Sequence, residues 1–244
     1  MRLHAMAEHV ARFFYPPVCM GCQGAVGTPA ALCPACWSGL AFIERPYCDV
    51  LGLPFAYDHG AGFVSALAIA EPPVFARARA AVLHRDLGAK LVTALKFADR
   101  TDLARPMATW MQRAGVDLLG DAEAIVPVPL HAGRLLRRRF NQAAELSRHL
   151  SRLSGVPYRP LALARVKATR SQIGLGAKAR ADNVRGAFKV RESRKVEIAG
   201  RRVLLVDDVY TTGSTVESAA RALKRAGARE VDVLTFARVA EEAL

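Results

Sequence analysis

The stretch Val203-Leu-Leu-Val-Asp-Asp-Val-Tyr-Thr-Thr-Gly-Ser-Thr215 decides the fold that this sequence predicts. Its first four residues are all apolar, as expected for a strand that is buried on both faces of a parallel sheet. Asp207 and Asp208 follow at the carboxyl end of that strand, where ligands bind in open α/β folds. The next residues form a small, hydroxyl-rich turn that opens into a helix. The segment therefore predicts a strand, an acidic pair and an anion-binding turn in succession.

The turn at residues 211–215 has the composition of a phosphate site. Successive backbone N–H groups in such a turn can point at one anion, and the helix dipole and its unpaired N–H groups add to the attraction. Two carboxylates beside the turn suit the vicinal hydroxyls of a ribose, or a hydrated Mg²⁺. A phosphate on the helix and a sugar on the acids together predict a site for ribose 5-phosphate. Its candidate residues are Asp207, Asp208, Thr211, Thr212, Gly213, Ser214 and Thr215.

Two other interpretations account for this segment less well. An apolar strand that ends in two aspartates also occurs in P-loop ATPases, but those proteins need a Gly-x-x-x-x-Gly-Lys-Ser/Thr loop, which this chain lacks. Alternatively, the aspartates cap the turn and the hydroxyl residues simply begin the helix. The acid pair, the Thr-Thr-Gly-Ser-Thr run and the flanking strand and helix together favour a ligand site over simple capping.

The chain divides into three regions that differ in composition and in the spacing of apolar residues. Residues 1–58 hold all five cysteines and begin with the pattern of a short amphipathic helix, residues 59–85 form a connector interrupted by Gly and Pro, and residues 86–244 alternate helical and strand patterns. The patterns predict helices over residues 87–97, 101–111, 141–153 and 214–226, and strands over 124–128, 161–166, 200–206 and 230–236. Asn141 suits the cap of the third of these helices. We expect an α/β domain with a parallel sheet flanked by helices, and we find no internal repeat.

The charge balance favours anionic partners. The chain has 35 Lys and Arg against 22 Asp and Glu, a formal charge of +13. Such a surplus favours nucleic acid, phosphorylated metabolites or an anionic membrane surface, although solvated arginine-rich faces produce the same count. No run reaches the roughly 18 apolar residues of a membrane helix, and the N-terminus lacks the clean apolar region of a signal peptide. We therefore expect no membrane span and a cytoplasmic protein.

Four of the five cysteines predict a metal site. Cys19-x-x-Cys22 is followed by Cys33-x-x-Cys36. In a reducing compartment such pairs indicate a metal rather than disulfides, and four thiolates form a closed, tetrahedral site for structural Zn²⁺. A redox pair or an iron–sulfur cluster fits the context less well. Cys48 stands apart. We expect it to be a buried thiol, and the alternative interpretation is a reactive thiol.

These motifs, in this order, resemble the ComF family of competence-associated proteins, a branch of the type I phosphoribosyltransferases. The resemblance rests on the paired Cys-x-x-Cys motifs and the acidic phosphate-loop segment, and it covers nearly the whole chain. The segments between them that also match are Leu95-Lys-Phe97, Val126-Pro-Val-Pro-Leu130, Arg138-Arg-Phe-Asn-Gln142, Thr169-Arg-Ser-Gln172 and residues 183–188. Lys96 in the first of these lies at a helix end, where a lysine also complements the helix dipole.

The resemblance implies a type I phosphoribosyltransferase fold with an N-terminal zinc ribbon. It also implies that a nucleophile displaces pyrophosphate at ribose C1 of phosphoribosyl pyrophosphate, with Asp207 and Asp208 positioning the ribose and Mg²⁺ neutralising the leaving group. The loop that would meet pyrophosphate contributes Pro127, Val128, Pro129, Arg134 and Arg138 as candidates. Relatives often carry more cysteines downstream; only Cys48 is present here, so we expect no second zinc site.

Two classes of function stay open. The first is a Mg²⁺-dependent phosphoribosyltransferase, whose acceptor the sequence does not identify. The second is a binding module, because the resemblance implies a role in natural transformation with single-stranded DNA and the DNA-uptake machinery as partners. A metabolite sensor without turnover is a third variant. The basic residues 165–185 suit either a loop that closes over substrate or a nucleic-acid contact.

Overall fold

The computed structural model describes residues 16–60, 62–97, 100–131, 133, 135, 140–167 and 182–240. The amphipathic helix predicted at the N-terminus, the candidate residues Arg134 and Arg138, and the motif at residues 169–172 lie outside these ranges.

A four-stranded parallel sheet forms the centre of the α/β domain. Its strands, in spatial order, are β1 (Ala78–Leu83), β6 (Glu230–Arg238), β5 (Arg202–Tyr210) and β2 (Ala124–Pro127). The register pairs Val203 with Ala124 on one side and with Val231 on the other. All pairings within this sheet are parallel, so the four strands end at one common edge. The predicted parallel sheet is confirmed.

Helices cover both faces of this sheet. They are α1 (Pro34–Ser38), α2 (Ala66–Ala70), α3 (Asp86–Phe97), α4 (Ala104–Ala114), α5 (Val116–Asp121), α6 (Gln142–Ser154) and α7 (Ser214–Arg225), and a separate antiparallel pair consists of β3 (Leu163–Arg165) and β4 (Phe188–Val190). Short 3₁₀ turns occupy Thr101–Leu103 and Glu192–Glu197. Across the described part of the chain, no helix has both the length and the apolar character that crossing a membrane requires.

Strand β5 is buried on both faces, which explains its unbroken apolar sequence. Val203 and Leu205 belong to the core that includes the inner face of α7, whereas Leu204 and Val206 belong to the core that includes α3, α4 and α6. All four side chains are fully buried. Each therefore contributes about 1.5–3 kcal/mol of burial free energy, which anchors β5 between the two cores.

The N-terminal region closes the open edge of β1. The backbone N–H of Ile43 donates to Ala81 O at 3.0 Å, and that of Leu83 donates to Ala41 O at 2.8 Å. Phe42 and Val82 form the antiparallel bridge between these two bonds. Residues 41–43 thus run beside β1 as a further short strand, and they occupy hydrogen-bonding groups that would otherwise invite pairing with another chain.

Strand β1 lies within the region predicted as a connector, and its hydrogen bonds to β6 make residues 78–83 part of the sheet. Its sequence, Ala-Arg-Ala-Ala-Val-Leu, lacks a strong strand signal because small residues and an arginine replace the usual branched side chains. Arg79 is 5% exposed. Its guanidinium stacks over the ring of Tyr47 and donates to Asp49 O and to Asp117 Oδ2, so the charge is satisfied by contacts that a local pattern does not show.

A close backbone approach between the N-terminal region and β1 provides a stability test. Gly52 has φ +63°, and a Cβ there would lie 2.4 Å from Ala78 O. Gly200 has a similar φ of +74°, and a Cβ there would meet nothing within 4 Å. We expect Gly200→Ala to cost about 1 kcal/mol of unfolding free energy for its backbone strain, and Gly52→Ala to cost about 1–3 kcal/mol more because of the overlap.

Urea unfolding of zinc-loaded protein measures both values. Equal losses for the two variants would mean that the N-terminal region does not hold β1 at the distance described above.

Candidate functional site

The predicted phosphate loop connects β5 to α7. Strand β5 continues to Tyr210, so Asp207 and Asp208 lie within the strand rather than after it. Val239 N–H donates to Tyr210 O at 2.8 Å, which extends the pairing with the β6 side past the acids. Helix α7 begins at Ser214, where its unpaired N–H groups and dipole face the loop.

Position 213 accepts only glycine. Gly213 is the N-cap residue of α7, with φ +79°, and a Cβ there would lie 2.4 Å from Tyr210 Oη. Tyr210 is buried beneath the loop, and the guanidinium of Arg238 lies 4.1 Å from its ring centre. Arg238 also donates to Leu51 O at 2.6 Å. The loop is therefore supported from below by a stack that reaches into the N-terminal region. Beside Gly213, the hydroxyls of Thr212 and Ser214 lie 2.9 Å apart.

The two aspartates differ in their surroundings. Asp208 is 9% exposed, and its Oδ2 lies 2.9 Å from Lys96 Nζ at the end of α3. Asp207 is half-buried and accepts a hydrogen bond from Asp208 N at 2.9 Å. Burial, and then the charge of Asp208, raise the pKa of Asp207 to about 7, against the opposing charges of Lys96 and Arg165. A cationic ligand that approaches this pair would favour the ionised form of Asp207.

His84 joins this group directly after β1. Its backbone N–H donates to Arg238 O at 2.7 Å. Burial, and then the charge of Lys96, hold the pKa of His84 below its usual range, although Asp208 opposes them, so the imidazole is neutral at neutral pH. His84 was not predicted as a site residue because the sequence pattern did not predict β1. Lys96 was interpreted first as a complement to the helix dipole, with a ligand role as the lesser alternative, and the Leu95-Lys-Phe97 motif was the signal that favoured the site.

Strand β2 brings the predicted pyrophosphate loop to the same edge. Pro127 pairs with Val206, and Val128 N–H donates to Val206 O at 2.8 Å. Asn141 Nδ2 donates to Val128 O at 3.0 Å, while its Oδ1 accepts from Ala143 N and caps α6 as predicted. The structure thus places Pro127, Val128 and Pro129 beside the acidic end of β5. The basic partners expected for this loop, Arg134 and Arg138, are not among the described residues.

The four N-terminal cysteines come together as predicted. The Sγ atoms of Cys19, Cys22, Cys33 and Cys36 all lie within 4.8 Å of one another. Cys22 Sγ and Cys33 Sγ are 3.7 Å apart, close to the roughly 3.8 Å that tetrahedral bonds of 2.3 Å to zinc require. Burial, and then the other sulfurs, raise the pKa of Cys36 to about 12. Four thiolates at this spacing need a cation between them, and the donor set fits Zn²⁺.

Residues 48–53 repeat the local geometry of residues 19–24. Cys19 N–H donates to Gly24 O at 2.7 Å and Cys48 N–H donates to Leu53 O at 2.8 Å. In each turn the fourth residue after the cysteine, Gln23 or Gly52, donates back to the cysteine carbonyl and has φ +63°. The N-terminal region therefore contains two copies of one knuckle, which the sequence does not show as a repeat.

The second copy has other residues at three of the four positions where the first copy has cysteines. Cys33 and Ser65 are N-cap residues of five-residue helices, and their N–H groups donate at 3.2 Å to Cys19 Sγ and Cys48 Sγ respectively. By this correspondence Leu51, Ser65 and Ala68 stand where the first copy has Cys22, Cys33 and Cys36. Leu51 and Ala68 are buried in the core that also contains β5. Apolar packing thus holds the second knuckle, and Cys48 keeps the hydrogen bonds of a ligand thiol.

Two family profiles match the chain. Residues 10–65 match the double zinc ribbon domain, and residues 136–244 match the phosphoribosyl transferase domain. Together with the parallel sheet and the cysteine cluster, these matches identify a phosphoribosyltransferase-type α/β domain preceded by a zinc-binding cluster.

Similar proteins carry names that concern DNA utilization or competence. The DNA utilization protein YhgH of Escherichia coli is 30% identical over 229 residues, which cover 91% of this chain and 90% of that protein. Competence protein F of Haemophilus influenzae is 46% identical over 116 residues, which cover 48% of this chain but only 50% of that protein. Among solved structures, the glutamine phosphoribosylpyrophosphate amidotransferase of B. subtilis matches 58% of this chain and 30% of its own, with 19% identity and a TM-score of 0.38.

The duplicated knuckle predicts zinc stoichiometry. We expect wild type to hold one Zn²⁺ per chain after exhaustive dialysis, as measured by atomic emission. The triple variant Leu51→Cys/Ser65→Cys/Ala68→Cys, together with native Cys48, presents four thiolates in the same arrangement and is expected to hold two. Adding Cys48→Ser to the triple variant should return the count to one. A folded triple variant that still holds one Zn²⁺ would contradict the assigned correspondence.

The raised pKa of Asp207 predicts a pH-dependent stability difference. Because the folded-state pKa lies above the usual value of 3.8, the folded chain binds more protons than the unfolded chain between about pH 4 and 7. The contribution of this carboxyl to stability is therefore present at low pH and is lost as the pH rises through that window. We expect Asp207→Asn to raise the Tm at pH 8, and the gain to shrink toward pH 5.

The matched control for this pH series is Asp182→Asn, which changes an exposed carboxylate. Its Tm difference from wild type should not show this trend. A Tm gain for Asp207→Asn that stays constant from pH 5 to 8 would show that the carboxyl ionises normally in the folded protein.

Proposed function

Because the chain belongs to the ComF family, with the full-length relative YhgH and with competence protein F, we propose that its α/β domain binds phosphoribosyl pyrophosphate, or a related ribose 5-phosphate, together with Mg²⁺. One observation carries the proposal: β5 and the start of α7 place the two acids and the Gly213 turn in one continuous segment at the carboxyl edge of the sheet.

The phosphate group of the ligand would occupy the turn before α7. The first N–H groups of a helix have no partner within the helix, and its dipole favours a negative charge there. Gly213 lets the turn pack closely on Tyr210, because a side chain at this position would collide with the phenol ring. Thr211, Thr212, Ser214 and Thr215 are the hydroxyl residues of the turn. The buried Tyr210 keeps the turn in place from below.

The ribose would lie over the end of β5. Carboxylates of Asp207 and Asp208 accept hydrogen bonds from the ribose hydroxyls, and such charge-assisted bonds are roughly twice as strong as neutral ones. Lys96 keeps the carboxylate of Asp208 oriented through its 2.9 Å ion pair. Neutral His84 lies in the same electrostatic environment and adds no positive charge that would compete with Lys96.

Mg²⁺ fits the donor set at this edge, because Asp207 is a half-buried carboxyl whose ionisation an added cation would favour. When bound, the ion would neutralise charge on the pyrophosphate leaving group. The loop containing Pro127, Val128 and Pro129 would lie along the pyrophosphate, since β2 holds it next to β5. In the proposed transfer, the bond from ribose C1 to pyrophosphate breaks as the bond from C1 to an acceptor nucleophile forms.

The zinc cluster has a structural role in this proposal. A Cβ at Gly21 would lie 2.8 Å from Leu87 Cδ1 and 2.9 Å from Cys36 Sγ, so the first knuckle packs directly against α3, which carries Lys96. Arg238 joins the second knuckle to the stack under the phosphate loop. We propose that residues 1–58 and the connector at 59–85 brace the transferase-like domain at 86–244, to which the connector also supplies β1.

The names of the relatives favour a role in DNA handling. We propose that the protein acts in DNA uptake or natural transformation, in the cytoplasm, where reducing conditions keep the four thiolates available to zinc. The second candidate function is a module that binds single-stranded DNA or senses the metabolite without turnover. The formal charge of +13 and the name of the relative YhgH, a DNA utilization protein, favour it.

Calorimetric titration tests the metabolite site. We expect zinc-loaded wild type to bind phosphoribosyl pyrophosphate saturably with Mg²⁺. The double variant Asp207→Asn/Asp208→Asn should lose about 100-fold or more in affinity, because hydrogen bonds to charged groups contribute about 1.5–3 kcal/mol each. The double variant Asp58→Asn/Asp121→Asn, which changes two exposed carboxylates outside the proposed site, is the matched control and should bind like wild type.

Absence of binding to folded wild type would leave the proposed metabolite site without support and would favour the second candidate function. Equal losses in the acid variant and the control would show that charge, rather than position, governs binding.

A further inference from the structure

A groove of about 750 Å³ runs along the outer side of α7, and the proposed phosphoribosyl site does not account for it. One wall is the segment from Glu71 to Val74, and the other is the segment from Val184 to Phe188. The volume lies within the range of about 300–1,000 Å³ that is typical of small-molecule sites.

Both walls are fastened to α7 by hydrogen bonds. Glu217 accepts from Val74 N at 3.1 Å on one side, and Ser218 Oγ donates to Val184 O at 2.6 Å on the other. The groove is therefore held open by specific contacts and belongs to the folded structure of the domain.

The floor of the groove is apolar. Leu51, Val184, Phe188, Tyr210 and Ala222 line it with at most 8% of each residue exposed, and exposed Leu67 and Pro72 add apolar surface that a ligand can cover. A small inorganic anion would leave such a floor unused, whereas a ligand with a flat apolar face would cover it and gain the free energy of removing apolar surface from water.

The rim of the groove is basic. Arg221 and Arg225 lie one turn apart on the same face of α7, and Arg185 lies on the opposite wall. Glu71 and Glu217 also line the groove, but Glu217 is engaged by Val74 N and by Arg221 at 3.2 Å. Arg221 is half exposed, and a surface ion pair of this kind is worth about 0–1 kcal/mol, so a phosphate can readily displace it.

The groove touches the phosphate loop but not the acids. Thr212 and Ser214 line its end, whereas Asp207, Asp208 and residues 127–129 are not among its described lining residues. Helix α7 advances about 1.5 Å per residue, so Arg225 lies about 16 Å along the axis from Ser214. A ligand at the arginines therefore lies well away from the acidic end of β5, where ribose C1 would react.

We propose that this groove is a separate binding site for a nucleotide unit, either free or within single-stranded nucleic acid. The base lies on the apolar floor, and its phosphate meets the guanidinium groups of Arg221 and Arg225. Planar guanidinium groups suit phosphate oxygens, because each can donate two parallel hydrogen bonds. The inference does not rest on phosphoribosyl pyrophosphate binding.

Fluorescence anisotropy with a labelled 12-residue oligothymidylate tests this site in zinc-loaded, full-length protein. We expect Arg221→Gln/Arg225→Gln to weaken binding by about tenfold or more and to reduce the slope of log K against log salt by about 0.7, because both arginines contact one phosphate and each contacted phosphate of a single strand contributes about 0.7. The control Arg113→Gln/Arg229→Gln makes the same change in charge at two exposed arginines that also pair with glutamates. It should bind within twofold of wild type.

Competition with thymidine 5′-monophosphate and adenosine 5′-monophosphate distinguishes the two sources of the nucleotide. If a mononucleotide at millimolar concentration displaces the oligonucleotide, a free nucleotide fills the groove. If it does not, the groove requires the strand. Both results agree with the proposal provided that the groove variant loses affinity for the oligonucleotide. Equal affinities of the groove variant and the control, or no binding of either probe to wild type, would overturn it.

Titration of phosphoribosyl pyrophosphate into the same variants separates the two proposals. The groove variant should retain metabolite binding, and Asp207→Asn/Asp208→Asn should retain oligonucleotide binding. If wild type binds the oligonucleotide as expected but not the metabolite, the proposed function fails and the groove assignment stands.

Discussion

The parallel pairing of β5 with β2 and β6 is the constraint on which the site depends. Because these three strands and β1 all point the same way, the acidic end of β5, the loop after β2 and the residues after β1 and β6 meet at one edge. The alternating burial of Val203 to Val206 in two cores holds β5 in register. A shift of β5 by one residue relative to β2 would exchange its two faces and turn the side chains of both aspartates to the opposite faces of the sheet.

The phosphate loop is coupled to the N-terminal region through a short chain of buried groups. Gly213 lies against Tyr210, Tyr210 lies under Arg238, and Arg238 donates to Leu51 O in the second knuckle. On the other face, Trp37 and Phe42 pack with Trp110, which stacks on Phe236 of β6. The N-terminal region therefore packs against both faces of the sheet. A zinc-binding region attached in this way acts as part of the scaffold of the site.

The two knuckles solve the same folding problem in different ways. The first has few buried apolar side chains of its own and is held by four sulfurs, whereas the second turns Leu51 and Ala68 into the main core and keeps only Cys48. A small element that cannot bury enough apolar surface needs a metal, and one that lies against a large core does not. The retained thiol still accepts N–H groups from Leu51 and Ser65, so the geometry around it does not require a metal.

The sequence by itself determined the elements whose signals are local. These signals are an unbroken apolar strand, an acid pair, a glycine-centred turn and the spacing of Cys19 to Cys36. They predicted the parallel sheet and the zinc cluster, and both predictions were confirmed. They also predicted the phosphate site, whose occupancy stays a prediction. Asn141 was also correctly predicted as a helix cap, because a cap acts on the residues directly after it.

Only the tertiary structure decided what depends on contacts between distant segments. Strand β1 exists because β6 and residues 41–43 supply its hydrogen bonds, and its buried Arg79 is satisfied by partners far along the chain. Lys96 pairs with Asp208, and His84 lies within the electrostatic influence of both, although the three residues belong to separate segments. The second knuckle is recognisable only by its hydrogen bonds. The propensities of single residues do not predict such pairings, because these contacts stabilise the fold only after the chain has brought the segments together.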